Sequence, residues 1–346
     1  MKKSKKKIAL IIVGCILCAA IITLAVLHII GFGFLLGFRE PSEEDQYISE
    51  LDALGVFDNA ISDEMPQTVV HRLIMEHFDA PLPEGKTQKK AIFLGFDGYR
   101  ADAIANIKDN ADSAIMYTKS LGGLYHTFAG GIKNVNEQAT STVPGWATML
   151  TGGWSDLHGL TKNGSPKNDA ETVLTTLAKR GYSGSFTVSW AQHLEITYKA
   201  DAEMAAKEGL PITYTLEKND DGTFNTVMNY VTKAAGQEKT KLEDPDMIFL
   251  TLEYTDHAGH GFGFGNNKKY TQGSIDADKH GYQIIKAIEA RDTFDTEDWL
   301  IVISTDHGGR LHEHGGQSIM ERCTWLATNK AINIDESWKT YAVKAN

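Results

Sequence analysis

The 346-residue chain is long enough for one large α/β domain, and its 42% apolar and 23% charged residues exclude a largely disordered protein. Residues 1–39 hold six of the 34 lysines and arginines and none of the 45 acidic residues, so residues 40–346 carry a net charge of −17. Such an acidic surface repels polyanions and excludes a basic face for nucleic-acid binding.

The chain begins with a basic segment at residues 1–7, which is followed by an uncharged apolar run that we place at residues 8–37. The run is long enough to span a bilayer, and it exceeds the apolar core of about 7–15 residues in cleavable signal peptides. We therefore predict a single-pass signal anchor in the cell membrane, with a cytoplasmic N-terminus and the remaining chain outside the cytoplasm. An alternative is a lipoprotein with lipidated Cys15, although a strongly apolar stretch would then follow that cysteine.

Residues 38–87 are predicted to form an acidic stalk and an accessory helix. Residues 65–78 show helical spacing of apolar side chains after an initial Met-Pro. Prolines and a glycine at positions 81–85 then interrupt the chain before the first convincing strand. The main domain is therefore placed at residues 88–346.

Three short apolar runs of the main domain each lead to an acidic residue. They are AIFLGF before Asp97, MIFLTLEYT before Asp256 and WLIVIST before Asp306. Helical stretches at 169–180 and 274–291 lie between them, which predicts an α/β domain with a mostly parallel central sheet. Because ligands of open α/β sheets bind at the carboxyl ends of the strands, the three acids are expected to converge on one site.

Histidines cluster beside two of these acids. Asp256 and His260 are four residues apart in a predicted glycine-containing loop, a spacing that lets both reach one metal ion. His307 directly follows Asp306, and His312 and His314 come shortly after. Mixed Asp and His ligands suit zinc, although the spacing leaves manganese and iron open. Each motif alone is typical of an ordinary loop, but their combination predicts a metal site.

A threonine at the start of a predicted helix is the candidate nucleophile. The stretch STVPGWATML, which begins at Ser141, favours a helix with Thr142 as its N-cap and Pro144 just inside it. A capping role by itself would explain the presence of a threonine at position 142. The helix dipole and backbone N–H groups at that position also favour negative charge, so a metal could hold the hydroxyl there as an alkoxide.

Together these motifs resemble the alkaline phosphatase superfamily and, within it, the type I phosphodiesterase and nucleotide pyrophosphatase group. The matching segments occur in the family's order: FDGYR at 96–100, STVPGWATMLTG at 141–152, HGLTKNG at 158–164, DHAGH at 256–260, TDHGG at 305–309 and HGG at 314–316. The resemblance spans about residues 88–330. It implies the superfamily's three-layer fold around a mostly parallel sheet.

The resemblance also implies two divalent metal ions, with zinc as the expected identity. His312 competes with His314 for one ligand position, and His314 is preferred because it precedes Gly-Gly and stands eight residues after Asp306. The implied ligands are Asp256, His260 and His314 for one ion, and Asp97, Asp306, His307 and the Thr142 oxygen for the other.

By the same resemblance, Thr142 attacks phosphorus and forms a phosphothreonine, which water then hydrolyses with overall retention at phosphorus. Asn163 and the backbone N–H of Val143 donate hydrogen bonds to a phosphate oxygen. We therefore expect hydrolysis of phosphodiester or pyrophosphate bonds in a small phosphate ester.

Several other functions of the superfamily stay open. A membrane-anchored phosphatase, a phosphonate hydrolase and a phosphoglycerol- or phosphoethanolamine-type transferase share the first half of the reaction, and a non-catalytic binding protein could retain the fold. A sulfatase is disfavoured because the stretch at Thr142 lacks the required C/S-x-P-x-R pattern.

Trp190 lies roughly where the family carries Trp-Pro-Gly, but without Pro and Gly a core-packing role is expected. Since relatives usually continue beyond the last motif, the sequence also leaves truncation open.

Overall fold

A computed structural model describes residues 42–332, and the chain divides between Gln46 and Tyr47 into two units. Residues 42–46 are the described part of the first unit, and the second unit contains the described sheet. The predicted tail at 1–7, the predicted anchor at 8–37 and Cys15 lie outside the described residues. Between residues 42 and 332, no helix has the length and apolar character that a membrane crossing requires.

Helices and strands alternate along most of the described chain. The strands are β1 (Gln88–Phe96), β2 (Gly123–Phe128), β3 (Gly184–Val188), β4 (Ile212–Leu216), β5 (Met247–Leu252), β6 (Glu297–Ser304) and β7 (Cys323–Thr328). The helices are α1 (Glu43–Leu54), α2 (Val69–Asp79), α3 (Ala114–Leu121), α4 (Thr142–Thr151), α5 (Ser155–His158), α6 (Val173–Lys179), α7 (Lys199–Glu208), α8 (Asp220–Val231), α9 (Tyr254–Phe262), α10 (Lys268–Glu289) and α11 (Ile319–Arg322).

The described strands form one sheet in the order β2-β7-β6-β1-β5-β3-β4. Strands β6, β1, β5, β3 and β4 pair in parallel, whereas β7 is antiparallel to both β6 and β2. Parallel neighbours cannot be joined by tight hairpins, so helical crossovers connect them. The predicted α/β class with a mostly parallel sheet is confirmed.

The sheet is buried on both faces because successive side chains of each strand point in opposite directions. In β1, Ile92, Leu94 and Phe96 belong to the core covered by α3, α8 and α10. Ala91 and Phe93 belong to the core covered by α2, α4 and α6. The helices on the two faces and the sheet between them make three layers, as the resemblance implies.

Part of the range predicted as stalk and accessory helix contributes to these cores. Tyr47 and Leu51 are buried in the first core, and Val69, Val70 and Ile74 are fully buried in the second. The apolar spacing of residues 65–78 arises because α2 lays one face on the sheet. Residues 47–79 thus belong to the same compact unit as the sheet.

Three predicted helices are present with shifted boundaries. The helix expected at 65–78 begins at Val69, the helix expected at 169–180 is α6, and the helix expected at 274–291 is α10, which begins earlier at Lys268. Asn267 sets that earlier start, since its side chain accepts hydrogen bonds from the backbone N–H groups of Lys269 and Tyr270.

Candidate metal centre and nucleophile

Three neighbouring strands bring the predicted acids to one edge of the sheet. Asp97 directly follows β1, Asp306 comes two residues after β6, and Asp256 lies in the first turn of α9 after β5. Gly98 turns the chain with φ +64°, and a Cβ at that position would lie 2.9 Å from Asp256 Oδ1. A glycine is needed here, since a side chain would both strain the turn and push Asp256 away.

Asp256 and His260 lie in a helix, which corrects the predicted loop. Their spacing of four residues places both on one face of α9, where Asp256 Oδ2 is 3.5 Å from His260 Nε2. His314 completes this group, with its Nε2 3.1 Å from His260 Nε2 and 3.7 Å from Asp256 Oδ1. These three side chains could hold one metal ion. The structure places His314 here, while His312 contacts the backbone carbonyl of His260.

A second group surrounds His307, whose ring is fully buried. Its Nε2 is 3.3 Å from Asp306 Oδ2, 3.5 Å from Asp97 Oδ1 and 3.4 Å from Thr142 Oγ1. All four members of the predicted second ligand set therefore meet at this nitrogen. Ligand atoms of Asp97, Asp256 and His307 also lie close enough to share one ion. Asp256 thus stands between the two groups.

The donor atoms of both groups fit divalent cations. Asp97 Oδ1, Asp256 Oδ1 and Asp306 Oδ2 are buried without a hydrogen-bond partner among the described residues. Such atoms are costly unless another group satisfies them. His307 Nδ1 lies 2.6 Å from the Gly308 carbonyl and His260 Nδ1 lies 2.8 Å from the His312 carbonyl, so each ring donates from Nδ1 and presents Nε2. The oxygen and nitrogen donors suit zinc and similar ions.

The pKa values of the centre also favour binding of cations. Burial, Asp306 and Glu253 raise the pKa of Asp97 well above its ordinary value. Burial also raises the pKa of Asp306 well above the usual range, and it lowers the pKa of His307 to about 3. A buried set of acids that repel one another, beside a neutral imidazole, is stabilised when positive charge is bound.

Thr142 begins helix α4 and is almost fully buried. The helix N-cap is Ser141, whose backbone is extended, so the prediction of Thr142 as the cap is wrong by one residue. Because Thr142 is helical, its hydroxyl is not engaged in capping and faces His307. Gly145 allows this approach, since a Cβ there would lie 2.7 Å from the Asp306 carbonyl oxygen.

Asn163 lies beside the candidate nucleophile Thr142 and makes a hydrogen bond that the sequence did not predict. The backbone N–H of Val143 donates to Asn163 Oδ1 at 2.9 Å, so it is not directed at a phosphate site. Because this contact fixes which amide atom is the oxygen, Asn163 Nδ2 is the group left to donate.

Trp146 supports the centre from the same helix. Its indole Nε1–H donates to Asp97 Oδ2 at 3.0 Å, and its ring is fully buried. The hydrogen bond occupies one carboxylate oxygen and leaves Asp97 Oδ1 toward His307. Sequence reasoning noted Trp146 only as part of a helix, because spacing gives no sign of a hydrogen bond between β1 and α4.

Glu253 is a further acid that sequence reasoning missed. It is 3% exposed, and its pKa is raised well above the usual value by burial and by Asp220, Asp256 and Asp306. The motif search assigned it to the strand run MIFLTLEYT. An acid within a run otherwise apolar enough to be buried is the signal that could have identified it.

Comparisons with known proteins identify the family of the chain. A family profile described as type I phosphodiesterase / nucleotide pyrophosphatase matches residues 91–346. No curated protein matches the chain. Among solved structures, murine ectonucleotide pyrophosphatase / phosphodiesterase 5 matches at 20% identity and a TM-score of 0.44, over 64% of this chain and 57% of that one. An inactive form of the same murine protein in complex with AMP matches at 19% identity with the same coverage and TM-score. The chain thus spans little more than half the length of these structures.

Proposed function

The chain belongs to the type I phosphodiesterase / nucleotide pyrophosphatase family, and from this premise we propose that it hydrolyses phosphodiester or pyrophosphate bonds with Thr142 as nucleophile. The observation that carries the proposal is the meeting of Thr142 Oγ1 with His307 Nε2, beside the buried carboxylates of Asp97 and Asp306. A hydroxyl at the start of a helix, in contact with metal-ligand types, is arranged for nucleophilic attack.

Two groups of side chains would hold the cations. Asp256, His260 and His314 form one group, and Asp97, Asp306, His307 and Thr142 form the other. Bound divalent ions, for which zinc is our proposal, would lower the pKa of the Thr142 hydroxyl and neutralise charge on the phosphoryl oxygens.

The chain's own residues perform the remaining tasks. Thr142 Oγ1 attacks phosphorus, and the alcohol or phosphate leaving group departs as a phosphothreonine forms. Asn163 Nδ2 donates a hydrogen bond to a phosphoryl oxygen, since Asn163 Oδ1 is held by Val143. Water then attacks the phosphothreonine, which releases the phosphorylated product and restores Thr142.

The proposal is tested with the full chain in detergent, using bis(p-nitrophenyl) phosphate and a dinucleoside pyrophosphate as substrates. Thr142→Ala should lower turnover on the order of 10³-fold or more. Thr151→Ala is the matched control, because Thr151 ends the same helix and its hydroxyl only donates to the Ala147 carbonyl. Full turnover by the Thr142→Ala variant would show that Thr142 is not the nucleophile.

Product analysis distinguishes the transferase alternative from hydrolysis. Phosphothreonine formation is common to both reactions, so the acceptor of the second step decides between them. We expect release to water to exceed transfer when glycerol or ethanolamine acceptors are added. Transfer that outpaces release would replace the hydrolase assignment.

The predicted anchor at 8–37 leads us to propose that this reaction occurs outside the cytoplasm. Digestion of intact cells with a protease tests the topology. Loss of residues 42–332 while the N-terminal tail stays protected is the expected result, and full protection of the domain would contradict it.

A further inference from the structure

A buried glutamine reaches the metal centre from the segment that precedes the sheet. Gln67 lies just before helix α2 and is fully buried. Its Nε2 donates hydrogen bonds to the carbonyl oxygens of Thr305 and Asp306, at 3.0 and 2.7 Å. Because both partners are acceptors, they fix which atom of the side-chain amide is the nitrogen. The range predicted as stalk and accessory helix thus contacts the backbone of a proposed metal ligand.

The two carbonyl groups lie on either side of the Asp306 Cα. The Thr305 carbonyl belongs to the peptide group that leads into Asp306, and the Asp306 carbonyl belongs to the one that leads on to His307. Strand β6 ends at Ser304, so pairing within the sheet no longer holds this backbone. Since peptide groups are planar, a donor that holds both carbonyls restricts φ and ψ of Asp306. Gln67 therefore sets the direction in which the Asp306 side chain leaves the backbone.

The position of Asp306 matters because its two carboxylate oxygens have different surroundings. Oδ1 accepts a hydrogen bond from the backbone N–H of Gly98 at 3.1 Å. Oδ2 is buried without a hydrogen-bond partner among the described residues and lies 3.3 Å from His307 Nε2. A rotation of the backbone at Asp306 would move Oδ2 and the attached His307 together. Groups that orient metal ligands in this way affect metal affinity strongly.

Gln67 is itself held in place from two sides. Its backbone N–H donates to the Phe128 carbonyl at the end of β2, at 3.0 Å, and Pro66 forms a parallel bridge with Phe128. Helix α2, which follows it, packs against α4, because Val70 and Trp146 belong to the same buried core. The position of the Gln67 amide is therefore fixed relative to both the sheet and the helix that carries Thr142.

Packing alone does not explain a glutamine at this position. Gln67 Oε1 is buried and has no hydrogen-bond partner between residues 42 and 332. Burying that acceptor is unfavourable, and an apolar side chain of similar length would avoid the cost. The same apolar side chain would leave the Asp306 carbonyl without its donor. The amide is thus best explained by what its nitrogen holds.

Resting on the proposed function, we propose that Gln67 is a positioning residue of the metal centre, which holds Asp306 and His307 in the geometry that binds the cation beside Thr142. Gln67 precedes residues 91–346, which the family profile matches. The geometry of the centre therefore depends on a side chain from outside the matched region.

The inference is tested with the full chain, using zinc affinity measured by competition with a chelating dye. Gln67→Met keeps the length of the side chain and removes both donated hydrogen bonds. Asn59→Leu is the matched control, because Asn59 also precedes the sheet and its Nδ2 donates to the His126 carbonyl in β2 at 3.1 Å. Both variants should lower the melting temperature, but only Gln67→Met should lower zinc affinity, by about tenfold. Native zinc affinity in folded Gln67→Met would overturn the inference.

Gln67→Glu is a second variant, for use if Gln67→Met does not fold. It keeps the shape of the side chain, and its carboxylate cannot donate to the two carbonyls, so native zinc affinity in this variant would equally overturn the inference. With saturating zinc, KM for bis(p-nitrophenyl) phosphate should be unchanged in either variant, because Gln67 contacts backbone and not substrate. A raised KM would contradict the positioning role. Zinc affinity that falls in Gln67→Met, in a protein that hydrolyses no phosphate ester, would contradict the proposed function alone.

Discussion

Replacing Trp146 by phenylalanine should weaken metal binding. The indole Nε1–H donates to Asp97 Oδ2 at 3.0 Å in a fully buried setting, and phenylalanine removes that donor. A hydrogen bond to a buried charged group contributes about 1.5–3 kcal/mol, which corresponds to a loss in affinity of roughly 10–100-fold. Part of the loss arises because Asp97 is then free to rotate its carboxylate.

Trp325→Phe is the matched control for this prediction. Trp325 is also fully buried, and its indole N–H donates to the Tyr99 carbonyl at 2.9 Å instead of to a carboxylate of the centre. Both variants lose one ring and one hydrogen bond, so both should lower the melting temperature. Zinc affinity, measured by competition with a chelating dye, should fall only in Trp146→Phe. Equal affinities in the two folded variants would refute the positioning role of Trp146.

Three further outcomes are expected. Removing metal with a chelator should lower the melting temperature, because Asp97 and Asp306 are buried beside each other and repel without a cation. Zinc should restore the melting temperature. An unchanged melting temperature would argue against a bound cation. Gly98→Ala should reduce zinc affinity, because the new Cβ would contact Asp256. Gly181 also has a positive φ but has open space around it, so Gly181→Ala should cost roughly 1–2 kcal/mol of stability and leave zinc affinity unchanged. Burial raises the pKa of Asp201 to about 7, so the folded state holds a proton that the unfolded state releases near pH 4. This contribution to stability is complete below about pH 4 and is lost as pH rises through 7, so Asp201→Asn should gain more in melting temperature over the native protein at pH 8 than at pH 5.

The meeting of the strand-end acids could be predicted from the sequence because it depends on local order and one topological rule. Asp97 and Asp306 follow apolar runs, and parallel neighbouring strands bring their ends together. The family resemblance, now confirmed by the profile match, added His314 and Thr142 to the same place. The convergence of Asp97 and Asp306 requires only that β1 and β6 pair in parallel.

Features that depend on contacts between distant residues could not be predicted. The antiparallel strand β7 has a short apolar sequence, CTWLAT, that fits either direction of pairing. The hydrogen bond from Trp146 to Asp97 arises only when α4 is packed against the end of β1. The helix that holds Asp256 was missed because Gly259 and Gly261 favour a loop, whereas Gly259 is buried within α9.

At the carboxyl edge of the sheet, the proposed ligands and the lining of a neighbouring pocket come from largely different strands. The proposed ligands come from the segments after β6 and β1, from helix α9 after β5 and from the start of α4. Most of the lining of a pocket of about 260 Å³ comes from the segments after β3 and β4. Substitutions or insertions in those two outer segments leave the reactive groups in register. Substitutions there can therefore change the lining of the pocket without changing the proposed ligands.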